Sequence, residues 1–437
     1  MKKIILKTFV IFTLFTSNQS IAQFSFDGQL IQRAEFRNGY NRSILEDETP
    51  SKFIAQRARL QASYKMDNTT FYMAIQDIRT WGNTPQIKLT DNFLSVHEAW
   101  LETKLGENWQ IKLGRQELNY DNFRFLGNLD WALQARAHDF ALVKYEKDDM
   151  KLHFGGGYNQ NGQFVAGDFY EENNYKNAQM ARYENKVGAF DFSILFWNDG
   201  KQSMITNEFG ELEELRVNYI QTFGLPTLRY QIGNTTLSGF YYHQLGRDFI
   251  RRKINAFNAS AQITKQFDID TEVGKKFRLV GGFELISGVD RETPMSNGAF
   301  TPLYGTNHIF NGYMDLFYVN GAHINNYGLQ DYYIKGRYDF NPKFFIQTDI
   351  HQFLAQSVVI APDGSNANKN FGTEVDLTAG YIFNSAISLQ AGYSQFFYTD
   401  TYEFLRSSGT LKNNQNWAYL MLIFRPNMKN KYIGILL

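Results

Sequence analysis

Phe277-Arg278-Leu279-Val280-Gly281-Gly282-Phe283-Glu284-Leu285 decides the fold class of this chain. Phe277, Leu279, Gly281, Phe283 and Leu285 share one face of an extended strand, and Arg278 and Glu284 share the other. A period of two marks a β-strand with one apolar and one polar face. The pattern recurs. Val375, Leu377, Ala379 and Tyr381 oppose Glu374, Asp376 and Thr378; Phe344, Ile346, Thr348 and Ile350 oppose Gln347, Asp349 and His351. Ile387, Leu389, Ala391 and Tyr393 oppose Ser388, Gln390, Gly392 and Ser394; Ala58, Leu60, Ala62 and Tyr64 oppose Arg57, Arg59 and Gln61. No stretch sustains a helical period.

Soluble sandwiches alternate in the same way, so the connections decide. Eighteen strands are predicted, near 26–37, 53–64, 70–81, 95–104, 109–118, 139–147, 150–158, 177–185, 190–198, 213–232, 236–245, 253–265, 276–287, 326–338, 343–354, 371–382, 387–399 and 415–424. Gaps after odd strands are mostly long, among them 38–52, 119–138 and 288–325. Those after even strands are mostly turns, such as Asp67-Asn68, Asp148-Asp149, Gly233-Asn234 and Asn341-Pro342. Two gaps fit badly: 266–275 is long for a turn and 246–252 short for a loop, which leaves sixteen strands as the alternative count. Short turns at one end and long loops at the other specify an all-β, transmembrane antiparallel β-barrel with periplasmic turns and extracellular loops.

Composition fits that reading. The 437 residues carry 44 basic and 44 acidic side chains, no cysteine, 39 Phe, 26 Tyr and 6 Trp. Residues 1–22 read as a cleaved signal peptide: Lys2 and Lys3, a short apolar core, then Ser20-Ile21-Ala22. Without Lys2, Lys3 and Lys7 the remainder, 23–437, has 41 basic against 44 acidic residues and forms the single barrel domain. That balance excludes a strongly basic nucleic-acid binder, and the missing cysteine excludes disulfides and thiolate metal sites. Spread over eighteen strands, 415 residues give about 23 each, enough for a spanning strand of ~9–11 residues and its connection. Tyr64, Trp81, Trp109, Tyr158, Trp197, Tyr338 and Trp417 lie near strand ends, as interface girdles require. The outer face then meets outer-membrane lipid.

On this parity the lumen receives Arg33, Arg37, Arg57, Arg59, Arg216, Arg278, Lys335 and Arg337. It also receives Glu35, Glu98, Glu102, Glu284, Asp331, Asp349, Glu374 and Asp376. Arg136, in the gap before the sixth strand, joins the substrate-pathway set. Arginine forks suit carboxylates, whether on a cargo or on the wall itself. Alternation from Trp109, Ile111 and Leu113 turns Arg115 outward unless a bulge or strand end intervenes. G-x-S-x-G, HExxH and Walker motifs are absent, so no enzyme and no cofactor are expected. Asp268–Gly274 has half a calcium loop with its glycine one place late, and reads as a solvated turn. His308 and His323 share the longest loop and are the remote candidates for a metal, with none expected. The apolar Tyr432–Leu437 after the last strand has no role in a simple barrel.

Leu113-Gly114-Arg115-Gln116-Glu117-Leu118-Asn119-Tyr120 resembles a strand of the alginate export family of outer-membrane porins, as do Gln56–Leu60, Gln76–Gly82 and Glu98–Trp100. Pro302–His308, Phe310–Asp315 and Trp417–Pro426 resemble the Bacteroidetes branch of that family. The resemblance implies a monomeric eighteen-stranded barrel that conducts an anionic polysaccharide or oligosaccharide outward, with periplasmic secretion partners. It also implies Arg57, Arg59, Arg79 and Arg115 as constriction residues. Two alternatives stand beside it: an uptake porin for small anions or sugar acids, and a non-conducting adhesion barrel whose loops 119–138 and 288–325 bind a partner.

Overall fold

The computed structural model describes residues 23–87, 93–170, 174–206, 212–248, 251–289, 296–317, 327–406 and 409–435. The signal-peptide reading of 1–22 and the metal reading of His323 lie outside them. Eighteen strands close into one antiparallel barrel: β1 (Gln23–Asn38), β2 (Ser51–Met66), β3 (Thr69–Thr80), β4 (Leu94–Lys104), β5 (Trp109–Gln116) and β6 (His138–Lys147) come first. They are followed by β7 (Met150–Tyr158), β8 (Asn177–Val187), β9 (Phe190–Thr206), β10 (Leu212–Ile232), β11 (Thr235–Arg247) and β12 (Lys253–Asp270). The last six are β13 (Lys275–Ile286), β14 (Leu329–Asn341), β15 (Phe344–Leu354), β16 (Asn370–Ile382), β17 (Ile387–Tyr398) and β18 (Gln415–Phe424). β18 pairs with β1 from Leu30↔Phe424 to Asn38↔Asn416, so no edge remains. A two-residue pairing at Ser296–Asn297 lies beside β12, outside the ring.

Both irregular gaps resolve. β12 runs on to Asp270, so its connection shrinks to the turn Thr271–Gly274, with Gly274 at φ +70°. β11 ends at Arg247, and its link to β12 is short. The eighteen-strand count stands.

Leu60, Phe71, Leu113, Ile194, Ile263, Leu279, Ile334, Ile350, Leu377 and Leu420 point outward and are exposed, a belt of apolar surface that water does not stabilise. Tyr64, Phe71, Trp109, Tyr230, Phe267 and Tyr381 ring the turn end, and Trp81, Tyr158, Tyr219 and Phe397 ring the loop end. Closed backbone pairing, an apolar outer belt and two aromatic rings make this a transmembrane barrel of the outer-membrane kind.

The inside differs from the expected polar bore. Trp197 and Trp417 are not girdle residues: they are 0% and 1% exposed and point into the lumen. β18 is apolar on both faces because Trp417, Tyr419, Met421 and Ile423 pack inward while Leu420, Leu422 and Phe424 face out. What they pack against is folded-in chain. The connections 117–137 and 299–317 descend into the lumen and pair with each other, Gly127 N donating to Tyr304 O at 2.9 Å and Thr306 N to Phe123 O at 2.8 Å. Phe125, Trp131, Tyr304, Met314 and Phe317 join the inner faces of the strands in one buried cluster. Each such side chain contributes about 1.5–3 kcal/mol when buried. Residues 117–137 and 299–317 are therefore fillers of the barrel; 290–295 and 318–326, which belong to the second loop read as an adhesive surface, lie outside the described residues.

The parity is testable. Ile334 is 62% exposed near the middle of β14, opposite Gly281 and Ile350, so Ile334→Arg places a charge in lipid at a cost of ~2–4 kcal/mol. The same arginine at Gln262, on a lumen-facing position, should leave folding into vesicles intact. Equal yields for both variants would contradict the assigned faces. The folded barrel should also run faster unheated than heated on a denaturing gel.

Candidate functional site

The two folded-in loops divide the lumen into compartments. A vestibule of about 660 Å³ opens at the loop end, lined by Arg33, Arg37, Tyr40, Phe53, Arg79 and Phe93, with Trp131 and His308 below. A second cavity of about 300 Å³ lies under residues 309–311, lined by Asp121, Phe240, Gln262, Glu284, Asp331 and Lys335.

Vestibule guanidinium groups lie over aromatic rings. Arg33 lies 4.2 Å above Trp131, Arg37 lies 4.3 Å from the Tyr40 ring and 4.8 Å from that of Phe53, and Arg79 lies 5.7 Å from that of Phe93. Stacking fixes each fork while its N–H edge donates to a wall carboxylate, Arg37 Nε to Glu35 and Arg79 to both oxygens of Asp77. Glu35 balances two of them, accepting from Arg33 and Arg37 at 2.8 Å each and from Trp417 Nε1 at 3.0 Å. Arg37 keeps 31% and Arg79 28% of its side chain exposed, against 6% for Arg33. Among the arginines described in this vestibule, Arg37 and Arg79 are thus the more exposed.

The floor is a ring pair. Trp131 and His308 stack with centroids 3.9 Å apart and planes 5° from parallel. His308 Nδ1 bonds Asp315 at 2.8 Å, Asp315 accepts from the Tyr40 hydroxyl, and Trp131 Nε1 donates to the Tyr40 oxygen at 3.0 Å. His308 is a packing residue in this network, with its Nδ1 already engaged.

The expected arginine constriction is rearranged. Arg57 is 0% exposed: its guanidinium donates to Asp130 at 2.7 Å, Gln29 at 2.6 Å and Leu133 O at 3.1 Å. Arg59 donates twice to Gln76 and stands 3.8 Å from Glu117. Burial pushes the Asp130 carboxyl up, but Arg57, Arg425 and Arg59 outweigh it and hold the group well below the usual carboxylate range. Breaking one partner of a buried pair costs ~3–5 kcal/mol, so Arg57 serves the wall and not the open path. Its partner is Asp130, and Glu102 pairs with Lys144 instead.

Arg115 is not a constriction residue. It keeps the outward parity of Leu113 to the end of β5, 43% exposed on its side chain, and pairs with Asp139 at 3.1 Å on the outer rim. The register there carries no bulge to turn it inward. Arg79 also has outward parity, opposite Gln56, and pairs with Asp77, yet it reaches the vestibule rim. Arg136 lies in a folded-in loop and donates to Gly305 O at 3.0 Å, its pKa pushed down to about 10 by burial. Arg216 lies opposite Ser203 near the loop end of the β9–β10 hairpin, away from both cavities. Arg278 and Arg337 meet at Asp339, 2.9 and 2.8 Å away, at the turn end. Asp349 pairs with Lys335 at 3.3 Å, and Glu374 accepts from Met314 N at 2.8 Å, holding down the 299–317 loop.

A β-bulge between Ala74↔Glu98 and Ile75↔Val96 turns both His97 and Glu98 inward. With Glu117 their ligand atoms lie within 4.8 Å of one another, the one such group among the described residues. His97 Nε2 bonds Glu117 at 2.8 Å, and Glu98 accepts from Glu117 N and Trp100 Nε1. These bonds, with Arg59 beside Glu117, account for the cluster without an ion.

Alternation missed Arg124, Asp130 and Trp131, which lie in irregular loops, and Arg182 on β8, which pairs with Asp121 of the folded-in loop at 2.6 Å. Arg124, fully buried, ties the loop to Glu284 at 2.7 Å and Asn311 at 2.8 Å. Phe123 and Leu129 hold φ of +65° and +52°, which bulky residues adopt only under constraint. Asp121 and Ala135 share that left-handed region in the same loop, and a strand-period reading has no signal for any of the four.

No family model matches the chain, and no curated relative matches it. Solved structures do. The outer membrane protein OpdK of Pseudomonas aeruginosa aligns at a TM-score of 0.57 and 13% identity, over 92% of this chain and 98% of that one. The same protein with vanillate gives 0.55 at 13% identity, over the same shares of both chains. OccK11 (OpdR) of Pseudomonas aeruginosa gives 0.56 and 13%, over 91% of this chain and 95% of that one. At such identity the likeness is one of architecture: a closed outer-membrane barrel.

Proposed function

We propose that the protein is an outer-membrane channel for small anions, with sugar acids and related carboxylates as its solutes. The observation that carries this is the 660 Å³ vestibule, where Arg37 and Arg79 are held on aromatic rings with their donors partly exposed. A carboxylate descending from the loop end meets these forks first, and each charge-assisted bond contributes about 1.5–3 kcal/mol. The bonds must stay weak enough to release, as in any conducting pore. The solved structure of OpdK with vanillate, a barrel of the same architecture, supports a small carboxylate. Two folded-in loops and separate cavities favour a small solute over a threaded polymer, so the polysaccharide suggested by the sequence resemblance ranks second.

In a planar bilayer the reversal potential under a salt gradient should lie on the anion side. Selectivity should sharpen at low salt, as the Debye length grows from ~10 Å at 0.1 M to ~30 Å at 0.01 M. Arg37→Gln with Arg79→Gln should shift the potential toward cations and weaken block by glucuronate about tenfold. Glu35 keeps Arg33 and Trp417 as partners in that variant, so folding should survive. A wild-type potential on the cation side would overturn the proposal.

A further inference from the structure

The barrel is complete at Phe424, yet the described chain continues to residue 435, inside the lumen. Arg425 N donates to Ala386 O at 2.8 Å and turns the chain back. The Ser388 hydroxyl then donates to Lys431 O. Gln390, itself fully buried, clamps Ile433 on both sides: its Nε2 donates to Ile433 O at 2.8 Å and its Oε1 accepts from Ile433 N at 3.1 Å. The Tyr432 ring meets Phe345 edge-on at 4.9 Å. Gly434, at φ +69°, lies so close to the vestibule floor that a Cβ would come within 2.4 Å of Trp131 and 3.0 Å of His308. Only glycine meets both demands. The segment therefore seals the ring pair from the turn side.

An ionic contact holds its base. Arg425 reaches Asp130 at 3.1 Å, on the carboxylate oxygen opposite the one taken by Arg57 at 2.7 Å. Between this base and the clamped Ile433, Asn427, Lys429 and Asn430 are exposed, and the segment has no regular secondary structure. It has a built seat, a polar clamp and one charged latch.

We infer that residues 427–435 form a displaceable plug that shuts the vestibule from the periplasmic side, latched by Asp130 on Arg425 and released when the carboxylate of a permeating solute takes over Arg425. The release step rests on the small-anion reading above; the plug does not. A guanidinium that trades one carboxylate for another keeps its charge-assisted bonds, so the exchange is close to neutral for Arg425 and frees the segment from the loop.

Two measurements test this. A chain stopped after Pro426 retains every barrel strand, and its folding is checked by heat-modifiable mobility. Its potassium chloride conductance should exceed wild type severalfold. The chain has no cysteine, so Ile433→Cys reports on the plug alone. With a membrane-impermeant thiol reagent its labelling should be slow, and faster in glucuronate. Adding Arg425→Gln should make it fast without glucuronate. Unchanged conductance in the folded truncated chain, or fast labelling of Ile433→Cys at rest, overturns the plug. Raised conductance with labelling indifferent to glucuronate overturns the release step. A cation-selective wild type would count against the small-anion reading and leave the chloride comparison of plugged and unplugged barrels standing.

Discussion

One carboxylate, Asp130, binds three parts of the chain that are far apart in sequence. One oxygen takes Arg57 on the β2 wall, the other takes Arg425 beyond β18, and Asp130 itself belongs to the connection folded in between β5 and β6. A lone buried acid would be expelled from such a place, and so would a lone buried arginine. Together they cancel, and the loop stays in the barrel. From that placement follow the floor at Trp131 and His308, the vestibule above it and the seat for the segment below.

The apolar interior follows from the same placement. A water-filled barrel needs polar inner faces, but Phe140 and Leu142 on β6, Leu195 and Trp197 on β9, and Met421 and Ile423 on β18 are all buried and inward. They are stable there because Phe125, Tyr304 and the chain after β18 remove them from water. Charge is then concentrated at the few places where the filler stops. Arg37 and Arg79 at the mouth stand on rings and on Glu35 and Asp77, and keep part of their side chains exposed, while the cations deeper in are paired and buried.

Strands were legible because alternation is local: a residue's parity is decided by its neighbours two places away. Arg33, Arg57, Glu284, Asp349 and Glu374 all lie on the inner face that parity assigned them, and the tight turns located the periplasmic end. The site was less legible because its geometry is non-local. Nothing near Asp130 in the sequence announces Arg57 or Arg425, and nothing near His308 announces Trp131. Arg115 was misplaced by motif likeness, although its own parity already turned it outward. The apolar Tyr432–Leu437 was conspicuous in the sequence, but the seat of residues 432–435 exists only once the barrel has closed around two loops.

The central claim is that connections 117–137 and 299–317 are fixed inside the barrel by buried pairs and by each other. Hydrogen–deuterium exchange in a membrane mimic tests it most directly. The amides of Gly127, Tyr304 and Thr306, which donate across the two loops, should exchange as slowly as the barrel strands. Exposed Ser365, in the connection between β15 and β16, should exchange far faster. Exchange of the loop amides at the rate of that exposed connection would contradict the account, because the barrel would then be open and its arginines free.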